Sequence, residues 1–572
     1  MTALLIWLSL CYIFVPFIIF FFGWLKPVWA FICTGSLLLA TGLAGRWILP
    51  VFEGTKKAPL GRVEETTGQT GGSFGGRVAA GATALCLVAA IVSLWGAGGY
   101  GPQDSDHPKH NAVLKALIEH PWPTYLESDR GQFPLVFYIA YYLPSALIGK
   151  LWGWEAASHA LQLWSVTGLV LCLAWFWILV GRISWVVPVV FFFFSGWDVI
   201  GAAVIRFWHW WEASGASLTD LLSSVDWFAL RWWNWQMRWF DPELARNYPS
   251  PIEHLFFVPH QVLAGWIVVG MITASGLRAP GAALAIMGVL CTLLVLWAPL
   301  ILLGLLPLVL WLLWEAERAT GSWKKVGKLL LSTCNLLAIP AFLAIALYYA
   351  ARWAPLPFSG VAEAGFGIGH ASFTWFMFLI RITLFLLVEV AIFALLLLWL
   401  RPFENESEYR LFGLSLAWVL VLPFFRYGAC NDLVMRASVP ALFLFAVWIA
   451  RSLTISSTPV MRRLIVAGCL LIGSTAPFSD LYAHFREAIR RGQIVQIPAK
   501  EKVRSLWELN QWSARQAETS THPLVRLFRE QTFFLQYVGS EDTVFFRYLA
   551  RKGPEEVAPD GAAASNRRGN PD

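Results

Sequence analysis

Apolar residues fill this chain in long runs broken by short polar stretches, and the run lengths set the first expectation. Nearly uncharged segments recur at 3–22, 28–50, 78–98, 158–180, 184–204, 256–277, 281–297, 299–315, 329–350, 372–400, 411–425, 437–451 and 463–478 of the 572 residues. An α-helix rises about 1.5 Å per residue, so roughly 17–25 apolar residues cross a hydrocarbon core of about 30 Å. The pattern predicts an all-α polytopic membrane protein with about thirteen transmembrane helices. Its shortest runs fall below the usual length and are expected as broken, tilted or merged spans. The first run starts almost at Met1, without a charged n-region or a small-residue cleavage site, and reads as a retained span rather than a signal peptide.

The placement of Lys and Arg orients these spans. Arg46, Lys56, Lys57, Arg62 and Arg77 crowd the loop 43–77, which goes to the cytoplasm together with the N-terminus. The loop 99–133 is then outside. The segment from Phe133 to Trp152 is apolar enough to cross. If it crossed, Arg182, Arg278, the Arg318–Lys328 cluster, Arg401, Arg410, Arg451, Arg462 and Arg463 would all face outward. If it lies along the outer surface as an interfacial helix, all of them stay inside. The second arrangement obeys the charge rule, and Pro134, Pro144, Tyr138, Tyr141 and Tyr142 suit an interface.

Three regions follow. Residues 1–77 form two N-terminal spans and a cytoplasmic loop. Residues 78–478 form a transmembrane region with outer loops at 99–157 and 205–255. Residues 479–572 form an outer tail, helical near Phe485–Val495 and Lys502–Ala517 and disordered from Gly553. Trp-dense stretches such as Phe207–Trp211 and Arg231–Trp235 are expected at the headgroup level. The net charge of +7 is spread over short loops, so nucleic acid is not an expected partner. The eight Cys show no paired spacing, which leaves neither a zinc motif nor a disulfide framework.

Against this apolar background, the loop Gly101–His110 is dense in chemistry. It holds Asp104, Asp106, His107, Lys109 and His110. Ionised groups cost roughly 2.5–3.5 kcal/mol each at a helix centre, so a surface loop is where such a protein can keep carboxylates beside a lipid. Asp104 and Asp106 are candidate general bases. The plainer alternative is that one of them caps the helix expected over Lys109–His120.

A second polar turn runs from Arg426 to Arg436, with Asn431 and Asp432 between them. Here the Arg residues either bind phosphate or snorkel to headgroups. Arg352 is a further outer cation. Glu253, His254, His260 and Gln261 gather at the mouth of another span, where His260 and Gln261 are suited to hold sugar hydroxyls. His107, His110 and His120 fit no standard zinc spacing, so no metal ligands are assigned. A divalent metal beside the two Asp remains an open alternative. Arg381, Glu389 and Asp198 lie within apolar runs, and intramembrane charges of this kind are functional candidates.

Taken together, the acidic loop after a span and the aromatic stretch Gln132–Tyr138, leading through Gly149–Gly153 into the next span, resemble the GT-C class of polytopic glycosyltransferases. The resemblance in layout covers roughly residues 80–480, and its sharp part is about fifty residues long. Among bacterial members it is most similar to the lipid A aminoarabinose and protein mannosyl transferases. It departs in having two extra leading spans and a single Pro134 where a proline pair is usual.

The resemblance implies juxtamembrane helices on the outer face and an inner-membrane location with the site facing the periplasm or exterior. It implies a polyprenyl-phosphate sugar donor, and a glycan, lipid or protein acceptor. Asp104 or Asp106 would then activate the acceptor, Lys109 would lie beside the donor phosphate, and transfer would invert the anomeric centre. Two alternatives stand beside it: a polysaccharide polymerase or ligase acting on lipid-pyrophosphate glycans, and a lipid or sugar transporter.

Overall fold

The computed structural model describes residues 2–53, 74–103, 106–129, 131–201, 203, 246–352, 358–360, 375–427, 431–455, 458–519 and 533–553. Every one of the thirteen apolar runs contains helix. Among the described residues, seven helices are long and apolar enough to cross a membrane: α1 (Thr2–Trp24), α2 (Pro27–Glu53), most of α3 (Phe74–Val92), α6 (Trp154–Val180), and the stretches Pro299–Thr320, Thr333–Ala350 and Leu379–Leu400. Val460–Gly473 and Thr475–Arg491, bent by 46° at Ser474, make an eighth if taken as one span. The chain is an all-α multi-pass membrane protein. Pro280–Val295 and Val439–Thr454 are apolar but have only 16 residues each, about 24 Å of helix against a core of about 30 Å.

Helix α2 packs against α1 and against Thr333–Ala350, while α6 packs against the helix Pro259–Gly276. The first contact is close because Gly45 of α2 lies directly under the Trp7 ring, where a Cβ would sit 2.4 Å from ring carbon. Small residues at helix crossings permit such approach. All 18 residues of Pro259–Gly276 are buried, as expected of a helix that is apolar on every side. It is the central post of the bundle, and its first turn carries His260 and Gln261.

Between α3 and α6 the chain forms a layer of loops and short elements. Helix α3 stops at Val92, short of the expected 98, and the chain then reverses through Gly96, Gly98, Gly99 and Gly101, all at positive φ. Gly98 presses on the Ser158 carbonyl, leaving no room for a side chain. The turn delivers α4 (His107–Glu119), followed by the antiparallel pair β1 (Tyr125–Ser128) and β2 (Gly131–Pro134).

The segment Phe133–Trp152 departs from the expected surface helix. Its first part is strand and irregular chain, and only α5 (Leu143–Trp152) is helical. Leu135–Ile139 and Tyr141–Tyr142 are packed inside rather than laid on a surface, with Tyr138 half-buried. Tertiary pairing outweighs helix propensity here, because Leu135 bridges Val538 and Tyr348 donates to the Leu135 and Phe137 carbonyls. Ten helical residues reach about 15 Å, so α5 does not cross.

The tail is more ordered than expected. Thr475–Arg491 and Leu506–Thr519 are helical, and the chain at 533–553 threads back among the loops through bridges at Val538, Gly539 and Ala550. The expected disorder from Gly553 falls almost entirely outside the described residues, as does the Trp-rich block.

Candidate functional site

Asp106 occupies the N-cap position of α4, but its carboxylate makes no cap hydrogen bond. It pairs instead with Lys109 one turn on, at 2.5 Å, with the two side chains 29% and 28% exposed. The capping alternative therefore describes where Asp106 sits and not what its side chain does. Asp104 lies outside the described residues, as does Arg130.

Below this pair His110 is clamped. Its Nε2 lies 2.9 Å from the Phe257 carbonyl and its Nδ1 2.5 Å from the Tyr142 hydroxyl. A carbonyl can only accept, so the ring hydrogen is on Nε2 and Tyr142 donates to Nδ1. The imidazole is neutral. Burial, then the neighbouring His107, pushes its pKa down to about 4.

The His260 ring lies 4.7 Å from that of His110 and stacks on Tyr138 at 5.3 Å. Gln261 donates to His260 Nε2 over 3.1 Å, which puts the ring hydrogen on a buried Nδ1 that has no partner among the described residues. His260 and Gln261 thus hold each other, and one buried donor is left over.

The turn at 426–436 contributes unevenly. Arg426 stands on β4 (Phe425–Tyr427), opposite Ser359 of β3 (Phe358–Gly360). Arg352 and Arg436 both bear electrostatically on the Tyr138 hydroxyl. Asn431 is buried in the left-handed region at φ 53. Its amide accepts from Tyr427 N–H and donates to the Phe425 carbonyl, so it braces the turn rather than presenting itself to a sugar.

Arg436 is 8% exposed, which removes the snorkelling alternative for this residue. It lies 3.7 Å from Asp432, and its Nε has no partner among the described residues. His110 of α4 lies against His260, and the charges of Arg436 and Lys109 both disfavour protonation of that ring, so both polar turns lie within electrostatic reach of it.

Sequence reasoning missed Tyr537. Burial raises the pKa of its hydroxyl, which feels Asp106, Arg352 and Asp432 together. It arrives from the tail, held where Val136 N–H donates to its carbonyl at 2.8 Å, while Arg352 clasps the Gln536 carbonyl at 2.6 Å. No local pattern marks a Tyr more than 400 positions from the acid it approaches. His110 was seen only as a metal candidate. His120 closes the far end of α4, about 20 Å of helix away from His107, so it cannot join the other two. Among the described residues no three His, Cys, Asp or Glu side chains converge to hold a metal.

Three further polar groups near the span mouths have structural work. Arg246 donates to the Pro423 carbonyl, Asn247 to Glu253, and Tyr248 to the Val419 carbonyl. Glu389 is buried in a π-helical turn at Leu387–Ala391, which interrupts its span, and it faces Asp198. Two intramembrane acids picked out separately therefore meet. Arg381, on the same span, is exposed.

The arrangement offers a partly exposed carboxylate, two cations, neutral histidines and aromatic walls at the end of a buried helix. It can take a proton from a hydroxyl and hold an anion. Fold and site together define a multi-pass α-helical membrane protein with a polar, loop-built centre at one end of the bundle. No family model matches the chain, and no curated protein or solved structure is similar to it at a significant level.

Proposed function

We propose that the chain is a GT-C-like membrane glycosyltransferase, built on about thirteen spans. It moves a sugar from a polyprenyl-phosphate donor to a glycan, lipid or protein acceptor on the extracytoplasmic face. The observation that carries this reading is that His260, 4.7 Å from His110 on the Asp106–Lys109 helix, feels the charges of Lys109 and Arg436, while Tyr537 feels those of Asp106 and Asp432.

Asp106 takes the proton of the acceptor hydroxyl. The oxygen attacks the anomeric carbon, the bond from that carbon to phosphate oxygen breaks, and the phosphate leaves with the electron pair. Attack from the face opposite the leaving group inverts the centre. Lys109 and Arg436 offset the charge that grows on the leaving phosphate. While Lys109 neutralises Asp106 the acid is a weak base. A phosphate that draws Lys109 toward itself restores the basicity of Asp106, which couples donor binding to acceptor activation.

Asp104→Asn and Asp106→Asn, assayed separately in membranes supplied with polyprenyl-phosphate sugars, test the chemistry. Loss of transfer in Asp106→Asn supports it, loss in Asp104→Asn alone moves the base to Asp104, and full activity in both removes it and favours the lipid-pyrophosphate polymerase. Labelling Ser105→Cys with an impermeant thiol reagent in intact cells tests the side. Reaction only after lysis removes the extracytoplasmic assignment.

A further inference from the structure

A groove of about 490 Å³ opens beside the C-terminal part of α1, at the far end of α4 from Asp106. Helix α4 is 13 residues long, so about 20 Å separates the two places. One wall is apolar: Ile18, Ile19 and Phe22 from α1 and Leu147 from α5. Its volume lies within the roughly 300–1,000 Å³ usual for ligand sites.

The floor is Trp122. Its indole N–H donates to the Leu117 carbonyl at 2.8 Å, and its ring stacks on Trp24 at 5.5 Å. Gly23 lets it lie flat against α1, since a Cβ there would sit 2.8 Å from the ring. Such a floor is rigid and built.

Two cations close the groove. Lys150 Nζ lies 5.1 Å from the Trp122 ring and donates to the carbonyls of Ile118 and His120 at 3.0 and 2.6 Å. An ammonium has three N–H groups, so one remains. Arg551 Nε donates to the Leu25 carbonyl at 3.0 Å, leaving both terminal nitrogens of its fork. No acidic side chain lines the groove among the described residues.

A snorkelling Lys would point its charge to water. Here both cations are fixed by backbone carbonyls at the rim of an apolar slot on a membrane span. That pairing of hydrocarbon wall and positive rim matches one chemistry, a lipid with an anionic phosphate head.

We propose that this groove binds one anionic membrane phospholipid, its acyl chain along α1 and its phosphate between Lys150 and Arg551. The site is separate from the centre at Asp106 and does not depend on the glycosyltransferase reading.

Native mass spectrometry of the full chain, released from nanodiscs of phosphatidylglycerol or phosphatidylcholine, tests it. The wild type is expected to retain one phosphatidylglycerol and to favour it over phosphatidylcholine. The double variant Lys150→Ala/Arg551→Ala should bind it about 30-fold more weakly, from about 1 kcal/mol per basic side chain at an anionic surface. Leu147→Trp keeps both cations and fills the slot, so it should lose the lipid while the delipidated protein melts as the wild type does. Equal retention of both lipids, or wild-type retention by the double variant or by Leu147→Trp, overturns the proposal. So does displacement of phosphatidylglycerol by equimolar polyprenyl phosphate, which would assign the groove to an isoprenoid carrier instead.

Discussion

Arg436 precedes the 16-residue helix Val439–Thr454 and Arg451 lies in its last turn; both are buried, yet their surroundings differ in kind. Arg451 Nη1 donates to both oxygens of Glu408 at 2.7 Å, and its Nη2 donates to the Leu179 carbonyl at 2.5 Å. Trp448 adds a bond to the same carboxylate at 2.9 Å, and Glu404 stands 3.6 Å away. Of the guanidinium's donors there, Nε alone is unpartnered among the described residues. Arg436, at the other end, has Asp432 at 3.7 Å and an orphan Nε, beside His260 with an orphan Nδ1. A buried polar network with short bonds to fixed acceptors is structural. One whose counter-charge stands 3.7 Å off, with unpaired donors on both Arg436 and His260, is poised for something that arrives from outside, because leaving such groups unpaired costs about 1–3 kcal/mol each.

The contrast breaks most visibly at Asp106. Asp106→Asn should lower transfer about 10²–10⁴-fold, the usual range for a lost general base, with little change in melting temperature, because the ion pair is partly solvated. A large drop in melting temperature would make the pair structural and erase the distinction. Glu408→Ala should do the reverse. It strands Arg451 and is expected to cost about 3–5 kcal/mol of stability, read as a lower melting temperature in detergent.

Arg436→Lys keeps the charge but loses the planar fork. Transfer should fall about tenfold, mostly as a higher KM for donor, with stability near that of the wild type. An unchanged KM would remove Arg436 from the site.

His110 sharpens the comparison through pH. Its imidazole stays neutral in the fold down to about pH 4, whereas a free His titrates near 6.5. The unfolded chain therefore binds more protons between those values. Stability should fall as pH drops from about 6.5 and level off near 4. His110→Gln should flatten that window in melting curves taken across it. The smallest effect is expected at Arg410, whose bond to Glu315 at 2.7 Å lies partly in solvent. Arg410→Gln should cost under about 1 kcal/mol.

The helices were legible because length and polarity decide them locally. The runs at 158–180 and 329–350 became Trp154–Val180 and Thr333–Ala350 almost unchanged. Where a run was short or carried Pro, long-range contacts decided, as in the Phe133–Trp152 segment that was drawn inside by Tyr348 and Val538. Of the candidate site, the types were legible and the roles less so. Lys109 and Arg436 both bear on His260, Asn431 braces a turn, and Arg426 stands on a strand.

Hydropathy and charge along the chain were enough to make this an α-helical membrane protein and to single out its two polar turns, because the cost of an unpaired backbone or charge in hydrocarbon is paid residue by residue. Which of those turns face each other, that a tail tyrosine joins them, and that Glu389 meets Asp198 came only from the tertiary structure. Such meetings depend on how packed helices cross and where loops return. Those are properties of many distant contacts at once, and no stretch of sequence carries them alone.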